Sequence, residues 1–527
     1  MSPKCVNTVA ILILVALGLF ILANSMAKPL SRDEQMYCTG GALLAQGKMI
    51  YRDFSYPSQL PYHPLLYAAL FKLLNTTHYL LIGRIISSLC DILVMMCIVG
   101  TYRHIFNSFR ISGTLLGLAG AVLYVFNPLV DYANGYAWNH DVVIFCVVLS
   151  FWIFISTDFQ QKSKYWRIAV IGALLTFATC MRITTALVQL LFFAAVLSQS
   201  ADSIKQRFKT ALPFLIATVI VLLWPIWVIA QAPRAFSLNL YWIPKLYGKW
   251  LHEVGLVYNK VDLILSCITQ PGYLVLVIIA VYLCLVVVWQ RRKLAISDKE
   301  SLLLAALLPL IFFIIAIIPP TMWHQYLAVP VPFLVISLAY PLFYLRSSQF
   351  GVQCSVFRIS CALLGICVVV AVVSHPIVLY RTPVLLVPEY WVPNQLHNIS
   401  EQIAQQTRQP RLILTLAPLF ALEGGCDIYP EFSAGAIVYR IADRLSPWNR
   451  DITHAVGPGT LKKLIEKSPP SALILGVEEH IYEEAIVGLA IKPSQEKWQR
   501  NVYDLPPSLS LRSITLKPGQ QLLLLYH

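Results

Sequence analysis

The sequence contains few charged residues. Asp, Glu, Lys and Arg make up 13% of its 527 residues, against about 25% in typical soluble domains. Hydrophobic residues make up 57% of the chain, above the roughly 45–50% of soluble domains. Together these departures exclude a water-soluble globular protein and indicate an integral membrane protein.

Other signals are also missing. Most of the 12 cysteines lie in or beside apolar runs and Cys426 is alone in the C-terminal part, so the sequence predicts no disulfide framework. There is no internal repeat, no low-complexity tract and no visible inverted repeat. No set of residues has the spacing of metal ligands, although a carboxylate pair holding a hydrated divalent cation stays open as a possible cofactor site.

Long apolar runs recur as far as Tyr380. Each is close to the roughly 20 residues that cross a hydrocarbon core of about 30 Å. They predict a polytopic α-helical membrane protein with about eleven transmembrane helices. The predicted spans are centred near Val15, Leu89, Leu118, Val148, Ala173, Phe192, Val221, Ile279, Ile311, Ile336 and Val368.

Three segments of the chain have individual predictions. The first 25 residues, with Lys4 before an apolar run, fit an uncleaved signal anchor better than a cleaved signal peptide. Only Cys180-Met181-Arg182 separates the fifth and sixth spans, which are two short helices meeting at a corner or one interrupted element. Segment 63–75 is too short to cross and predicts a juxtamembrane helix that lies in the interface or dips into the bilayer.

Basic residues predict the orientation, because cytoplasmic loops near helix ends carry an excess of Lys and Arg. With the N-terminus inside, the short outer turns around Asp131 and Pro319 contain no Lys or Arg. The net charge of +14 lies in the membrane half, since basic and acidic residues balance from Arg381 onward. The basic pI therefore reflects topology and predicts no nucleic-acid partner. The predicted inner loops hold Arg103, Arg110, Lys162, Lys164, Arg167, Lys205, Arg207, Lys209, Arg291, Arg292, Lys293, Lys299, Arg346 and Arg358.

These patterns divide the chain into a transmembrane domain, 1–380, and an outer C-terminal domain, 381–527, with a first outer loop at 28–79. The C-terminal part contains the short β-like runs RLILTLA and SALILGV, and TLKKLIEK predicts a helix. A small α/β extracytoplasmic domain is expected.

Several polar side chains are predicted at the outer face, where one shared cavity would account for them. An ionisable residue at membrane depth costs roughly 2.5–3.5 kcal/mol on insertion scales, so it usually pairs or serves a function. A carboxylate there can take a proton from a hydroxyl, and arginine's planar fork suits phosphate. This chemistry fits transfer of a sugar from a lipid-linked phosphate. The candidates are Asp33, Glu34, Arg52, Asp53, Arg84, Asp141, Arg182, His324, Gln325 and Tyr326.

Each candidate also has a structural interpretation. Asp33, Glu34 and Asp141 could be acids that favour helix N-termini. Arg84 and Arg182 could extend to the interface. A local salt bridge between neighbouring residues is the alternative for Arg52 with Asp53, and interfacial anchoring is the alternative for His324 with Tyr326. Glu431, in IYPEFSAG, is a candidate contact for the acceptor, with a turn position as its alternative.

The order of these motifs resembles a known family. An outer acid, Asp33, follows the first span, and then come GKMIYRDFSYPSQLPYHPLLY, an arginine in the second span, an acid before the fourth span, and WHQYLAVPVPF. This arrangement over about residues 8 to 380 is similar to the polyprenyl-phosphate-dependent GT-C glycosyltransferases. Within them it is similar to the group of protein O-mannosyltransferases and lipid A aminoarabinose transferases.

The resemblance implies roles for the candidates. Asp33 would be the catalytic base, Asp141 a second active-site acid, and Arg84 and the His324-to-Tyr326 segment would hold donor phosphate. Apart from the resemblance, Glu34 is a further catalytic candidate. Arg52 and Arg182 are further phosphate candidates. Some relatives have a Glu-Lys pair where this chain has Ser58-Gln59, and that departure leaves the lysine's role to another cation, with Arg52 as the candidate.

The expected function is transfer of a hexosyl or pentosyl group from a polyprenyl phosphate to a lipid, glycan or protein acceptor, with inversion at the anomeric carbon. The expected location is a bacterial plasma membrane, with membrane lipids as surroundings and the site outside the cytoplasm. The alternatives are a transporter or flippase of lipid-linked saccharides and an inactive relative serving in assembly. A transporter should show internal pseudo-symmetry or ionisable residues at the bilayer midplane, whereas these acids cluster at one edge.

Overall fold

The computed structural model describes residues 3–199, 203–290, 299–347, 351–478, 480–491, 498–509 and 521–526. Three of the predicted inner-loop cations, Arg291, Arg292 and Lys293, lie outside these ranges.

The part of the chain before residue 381 is helical. Its first ten α-helices are α1 (Pro3–Ala27), α2 (Arg32–Ala45), α3 (Tyr62–Leu74), α4 (Tyr79–Ile105), α5 (Arg110–Val125), α6 (Pro128–Ala133), α7 (His140–Ile155), α8 (Lys164–Thr179), α9 (Ala186–Ser198) and α10 (Ile204–Gln231). The next nine are α11 (Pro233–Ser237), α12 (Ile243–Glu253), α13 (Lys260–Ile268), α14 (Pro271–Gln290), α15 (Lys299–Ile317), α16 (Val331–Ser337), α17 (Ala339–Ser347), α18 (Gly351–Ser374) and α19 (Ile377–Tyr380).

Eight helical stretches in the described part are long and apolar enough to cross a membrane. They contain eight of the eleven predicted span centres. The other three centres, Val148, Ala173 and Phe192, fall in α7, α8 and α9, which have 16, 16 and 13 residues. At 1.5 Å per residue these helices are roughly 20 to 24 Å long, shorter than a core of about 30 Å. That α7, α8 and α9 cross the membrane therefore stays a prediction.

The helix ends decide one local alternative, whereas the juxtamembrane position of segment 63–75 stays a prediction. The fifth and sixth predicted spans are two short helices, because α8 ends at Thr179 and α9 begins at Ala186 after a 3₁₀ turn. The segment predicted as a juxtamembrane helix is α3, a helix of 13 residues.

The helices pack closely, as membrane helices must when apolar lipid gives no hydrophobic drive for association. A Cβ added to Gly172 on α8 would lie 2.6 Å from the carbonyl oxygen of Phe214 on α10, so only glycine permits this approach. Interhelical hydrogen bonds add to the packing. The buried Tyr102 hydroxyl on α4 donates to the Val335 carbonyl on α16 at 2.7 Å.

The C-terminal part has helices around one mixed sheet. Its strands have the order β2-β1-β3-β5-β4, in which β1 pairs in parallel with β2 and β3, and β5 pairs antiparallel with β3 and β4. The predicted runs RLILTLA and SALILGV supply β1 and β3, and TLKKLIEK supplies α24, so the α/β character is confirmed. The elements are α20 (Val392–Gln406), β1 (Leu412–Leu414), α21 (Leu419–Leu422), β2 (Asp427–Ile428), α22 (Ala436–Tyr439), α23 (Pro447–Thr453), α24 (Leu461–Lys467), β3 (Ala472–Leu475), α25 (His480–Ile491), β4 (Gln499–Asp504) and β5 (Gln521–Tyr526).

Contacts place the predicted outer segments on one side of the helical bundle. Leu30, after α1, donates its N–H to the Ser508 carbonyl at 2.6 Å. The Gln35 side chain on α2 accepts from the Leu419 N–H at 2.9 Å. On the other side, the Arg346 guanidinium lies over the rings of Phe109 and Phe357, at 4.6 and 5.6 Å from their centroids. The predicted outer loops therefore meet the C-terminal sheet domain, and predicted inner loops meet one another.

Candidate active site

The start of α2 is fixed by a capping box. Ser31 precedes the helix, and its hydroxyl accepts from the Asp33 N–H at 3.3 Å. Glu34 completes the box, since its carboxylate accepts from the Ser31 N–H at 2.9 Å. Such reciprocal bonds satisfy N–H groups that a helix leaves unpaired at its first turn. They also fix the directions in which the two neighbouring acids point.

Glu34 points inward and forms a buried ion pair with Arg84 of α4. Arg84 Nε and one terminal nitrogen donate to the two Glu34 oxygens at 2.9 and 2.8 Å, and both side chains are fully buried. The Ala137 N–H also donates to Glu34, at 2.8 Å. The pair thereby ties α2 to α4 and to the loop before α7.

Arg84 has no donor left for a ligand. Besides its two bonds to Glu34, it donates to the carbonyls of Ser25 and Lys28, both at 2.8 Å, and of Pro29 at 3.1 Å. Guanidinium has five N–H donors, and these five contacts use all of them. Glu34 is likewise occupied, since each of its oxygens accepts two hydrogen bonds.

Asp33 differs from Glu34 in its burial and in its hydrogen bonds. Its side chain is only partly buried and has no hydrogen bond to any residue in the described ranges. Burial raises the pKa of its carboxyl to about 6, while Arg32 lowers it and Glu34 raises it. A carboxylate with a pKa near neutrality and unused lone pairs is suited to accept a proton.

The charge of Asp33 acts on several tyrosines. Tyr37 lies four residues further along α2, which places it on the same helix face. Burial raises the pKa of Tyr37 well above its usual range, and the charge of Asp33 raises it further, whereas Arg182 lowers it. The charge of Asp33 also raises the pKa of exposed Tyr132 and of half-buried Tyr247. Asp33 and Arg182, predicted from distant parts of the sequence, thus both influence Tyr37 electrostatically.

Arg182 lines a cavity at the corner between α8 and α9. His140, Tyr326 and apolar side chains of α7 and α15 line it too. The guanidinium carbon lies 5.1 Å from the centroid of the Tyr326 ring, and a terminal nitrogen lies 3.5 Å from His140 Nδ1. Its other N–H donors have no hydrogen bond to the described residues, in contrast to those of Arg84. Arg182 can therefore donate to an anionic group.

His324 lines another pocket. Lys28, Tyr132, His375 and Arg381 also line it. The His324 ring packs edge-on against Tyr132, with centroids 5.8 Å apart. Burial lowers the pKa of Lys28 to about 8, against the opposing effect of Asp131. Tyr132, which lines this pocket, also feels the charge of Asp33.

Asp141 faces the Lys28 side of the site. It lies in the first turn of α7 and is fully buried. One carboxylate oxygen accepts from the Gly135 N–H at 2.8 Å, while the other is buried with no hydrogen bond within the described part of the chain. Asp141 therefore closes the loop before α7 and retains one unused oxygen.

Arg52 and Asp53 form the local salt bridge that was the structural alternative. Two guanidinium nitrogens donate to the Asp53 carboxylate at 2.8 Å, and the third donates to Gln231 at 2.8 Å. Arg52 is exposed and Asp53 is partly exposed. Three of the five N–H donors of Arg52 are thus used, whereas Arg84 uses all five.

Two residues near Asp33 were missed by the sequence analysis. Tyr37 and His140 both lie beside predicted residues, but an isolated tyrosine or histidine in an apolar protein carries no signal that distinguishes a site from the core. Only the α8–α9 corner, which brings Arg182 to His140, makes them candidates. The Arg182 side chain also contacts Tyr326, so these residues from three distant segments form one cluster.

Comparisons with known proteins identify the fold. No protein family model matches the sequence, and no curated protein matches it. Among solved structures, ArnT from Cupriavidus metallidurans bound to undecaprenyl phosphate is similar, with a TM-score of 0.60 and 14% identity over 99% of this chain and 98% of ArnT. ArnT in the apo state is similar over the same shares, with a TM-score of 0.58 and 14% identity. The likeness confirms the predicted polytopic helical fold of GT-C architecture with a small α/β domain.

Proposed function

We propose that this protein is an integral membrane glycosyltransferase that takes a sugar from a polyprenyl-phosphate-linked donor and attaches it to an acceptor hydroxyl. One observation carries the proposal. In an ArnT-like fold, the partly exposed Asp33 carboxylate has unused lone pairs and lies in the same cluster as Arg182, whose donors are mostly unused. The ArnT structure with this fold is bound to undecaprenyl phosphate, which supports a polyprenyl phosphate as the carrier here.

The proposed reaction is a direct displacement. The oxygen of the acceptor hydroxyl attacks the anomeric carbon, and the Asp33 carboxylate accepts the proton of that hydroxyl. The bond between that carbon and the phosphate oxygen breaks, and the electron pair goes to the phosphate. Arg182, with Tyr326 beside it, stabilises this negative charge as it develops. A phosphate leaving group needs no separate general acid.

Glu34 and Arg84 have positioning roles in this proposal. Because their hydrogen-bonding groups are occupied by each other and by the backbone, neither is free to contact the donor or acceptor. They hold the first turn of α2, and therefore Asp33, against α4. Asp141 is proposed to act in the same site from the Lys28 side. Arg52 and His324 have no assigned donor contact.

The site is proposed to face away from the cytoplasm, in a bacterial plasma membrane. The support is the separation of basic residues, which avoid the short turns on the Asp33 side, and the contact of that side with the sheet domain. The acceptor is then a lipid, glycan or protein hydroxyl outside the cytoplasm, and the group transferred is a hexosyl or pentosyl unit.

The test uses purified full-length protein in lipid nanodiscs. It is mixed with radiolabelled hexosyl and pentosyl polyprenyl phosphates and with an extract of envelope lipids, glycans and proteins. We expect label to appear on an acceptor together with free polyprenyl phosphate in equal amounts. In proteoliposomes, a transporter would instead move the intact lipid-linked saccharide across the bilayer without releasing phosphate, and that result would overturn the proposal.

A further inference from the structure

Three metal-ligating side chains meet at the junction of the two halves of the molecule, away from Asp33. His78 directly precedes α4, His397 lies on α20, and Glu423 directly follows α21. One ligand atom from each lies within 4.8 Å of the others. Among the described residues, these three side chains are the group of His, Cys, Asp or Glu that is close enough to hold a metal ion. We propose that these three side chains bind a Zn²⁺ ion that links the membrane half to the C-terminal domain.

The carboxylate is buried and already oriented. Glu423 is 1% exposed, and one of its oxygens accepts from the Leu80 N–H in the first turn of α4 at 2.7 Å. The other oxygen lies 3.0 Å from His397 Nδ1. A backbone donor that fixes the far oxygen of a ligating carboxylate is the usual outer support of a metal ligand.

The two histidines face one another beside this carboxylate. Their rings are stacked, with centroids 3.5 Å apart and an interplanar angle of 24°. His78 Nδ1 is buried and has no hydrogen-bond partner in the described part of the protein. A buried polar atom left unpaired is unfavourable, and a bound ion would satisfy it.

The ligand set selects the class of ion. Imidazole nitrogen and one carboxylate suit zinc and related transition metals, whereas Mg²⁺ and Ca²⁺ prefer all-oxygen sites. Tetrahedral zinc holds nitrogen and oxygen ligands at about 2.0–2.2 Å, so the imidazole rings must rotate out of their stacked arrangement to bring their nitrogens to one ion. Glu401, whose carboxylate lies 3.3 Å from His397 Nε2, is exposed beside the cluster.

The position gives the ion a structural role. His78 belongs to the segment joining α3 to α4, at the end of the first outer loop, and the other two ligands belong to the C-terminal domain. An ion bound by all three would fix that domain against the start of α4, six residues before Arg84. Removal of the ion should therefore loosen the domain without removing any group that contacts the donor.

The test measures metal directly, with the full-length protein in detergent. After chelation and dialysis against ZnCl₂ and then metal-free buffer, mass spectrometry should find about one zinc per chain, and the same procedure with MgCl₂ should leave none. His78→Phe keeps a ring for stacking and Glu423→Gln keeps an acceptor for Leu80, so both should fold while zinc affinity falls at least about tenfold. His252→Gln, an exposed histidine on α12, is the matched control and should keep the zinc.

Zinc should also raise the unfolding temperature of the chelated wild type and of His252→Gln, but not of His78→Phe, since binding to the folded state stabilises it. Substoichiometric zinc in the wild type, or equal affinity in His78→Phe and the wild type, would overturn the assignment. Zinc lost equally from all variants including His252→Gln would show binding by surface histidines and would overturn it as well.

Discussion

Replacement of Arg84 by methionine distinguishes a structural from a substrate-binding arginine. The change removes two hydrogen bonds to Glu34 and three to the carbonyls of Ser25, Lys28 and Pro29. It leaves the fully buried Glu34 carboxylate with only two backbone donors, from Ser31 and Ala137. Breaking a buried ion pair on one side typically costs about 3–5 kcal/mol, because the remaining charge is uncompensated.

That cost is large beside the roughly 5–15 kcal/mol by which a folded protein is usually stable. We therefore expect Arg84→Met to unfold at a markedly lower temperature and to lose activity through lower kcat, with donor KM little changed. Glu34→Gln together with Arg84→Met removes the uncompensated charge and should recover part of the stability. The non-additivity in this cycle should lie between about 0.5 and 3 kcal/mol.

Arg52→Met is the matched control. Arg52 also makes three side-chain hydrogen bonds, but its side chain is 48% exposed, and exposed ion pairs contribute about 0–1 kcal/mol. Unfolding should be followed at one fixed scan rate, because large proteins often unfold irreversibly. If Arg84→Met unfolds like the wild type and only raises donor KM, then Arg84 binds phosphate and the positioning role is wrong.

Three further predictions concern the site and its orientation. Because Asp33 must be ionised to accept a proton and its pKa is raised to about 6, kcat/KM should rise tenfold per pH unit below about pH 6 and level off above it; a flat profile down to pH 4.5 would contradict the base assignment. Arg182→Gln should raise donor KM at least about tenfold with an unchanged unfolding temperature, since a charge-assisted bond contributes about 1.5–3 kcal/mol, and unchanged donor saturation would remove Arg182 from the phosphate site. A cysteine replacing exposed Tyr132 should react with an impermeant reagent added to whole cells, and one replacing Lys162 only after permeabilisation, on a background without exposed native cysteines; the reverse pattern would invert the orientation.

Helices were predictable from the sequence where hydropathy and length sufficed. A run of about 20 apolar residues has few alternatives in a membrane protein, so every predicted span centre falls in a helix. The shortness of α7 and α9 was not predictable, because their ends are set by polar corners such as the one at Arg182. The β4–β5 hairpin was also missed, since QRNVYD is polar and partly exposed as an edge strand.

The roles of neighbouring acids were harder to predict. Asp33 and Glu34 are adjacent on α2, and consecutive side chains of an α-helix point about 100° apart. Nothing in the local sequence says which of the two acids faces inward. The answer depends on Arg84, which lies on another helix. Arg84 and Arg182 are equally plausible phosphate ligands in sequence, and only their partners separate them. The zinc ligands His78 and His397 come from opposite halves of the chain, so no spacing pattern could reveal them.

Local structural requirements also explain why the fold resembles solved structures although no family model matches the sequence. Gly172 and Ser31 act locally, one by permitting helix approach and the other by capping α2. Such local requirements can be met by many sequences that share one helix arrangement. A likeness at 14% identity is therefore a likeness of architecture.

The most direct test of the account is the turnover of Asp33→Asn. Asparagine has nearly the same size and cannot accept the proton, so transfer from a polyprenyl-phosphate-linked sugar should fall by about 10²–10⁴-fold, the range of general base catalysis. Unfolding temperature and donor binding should stay at wild-type values, and Asp53→Asn, which changes the local pair with Arg52, should remain active. Near-normal turnover by Asp33→Asn would contradict the central claim that this carboxylate activates the acceptor.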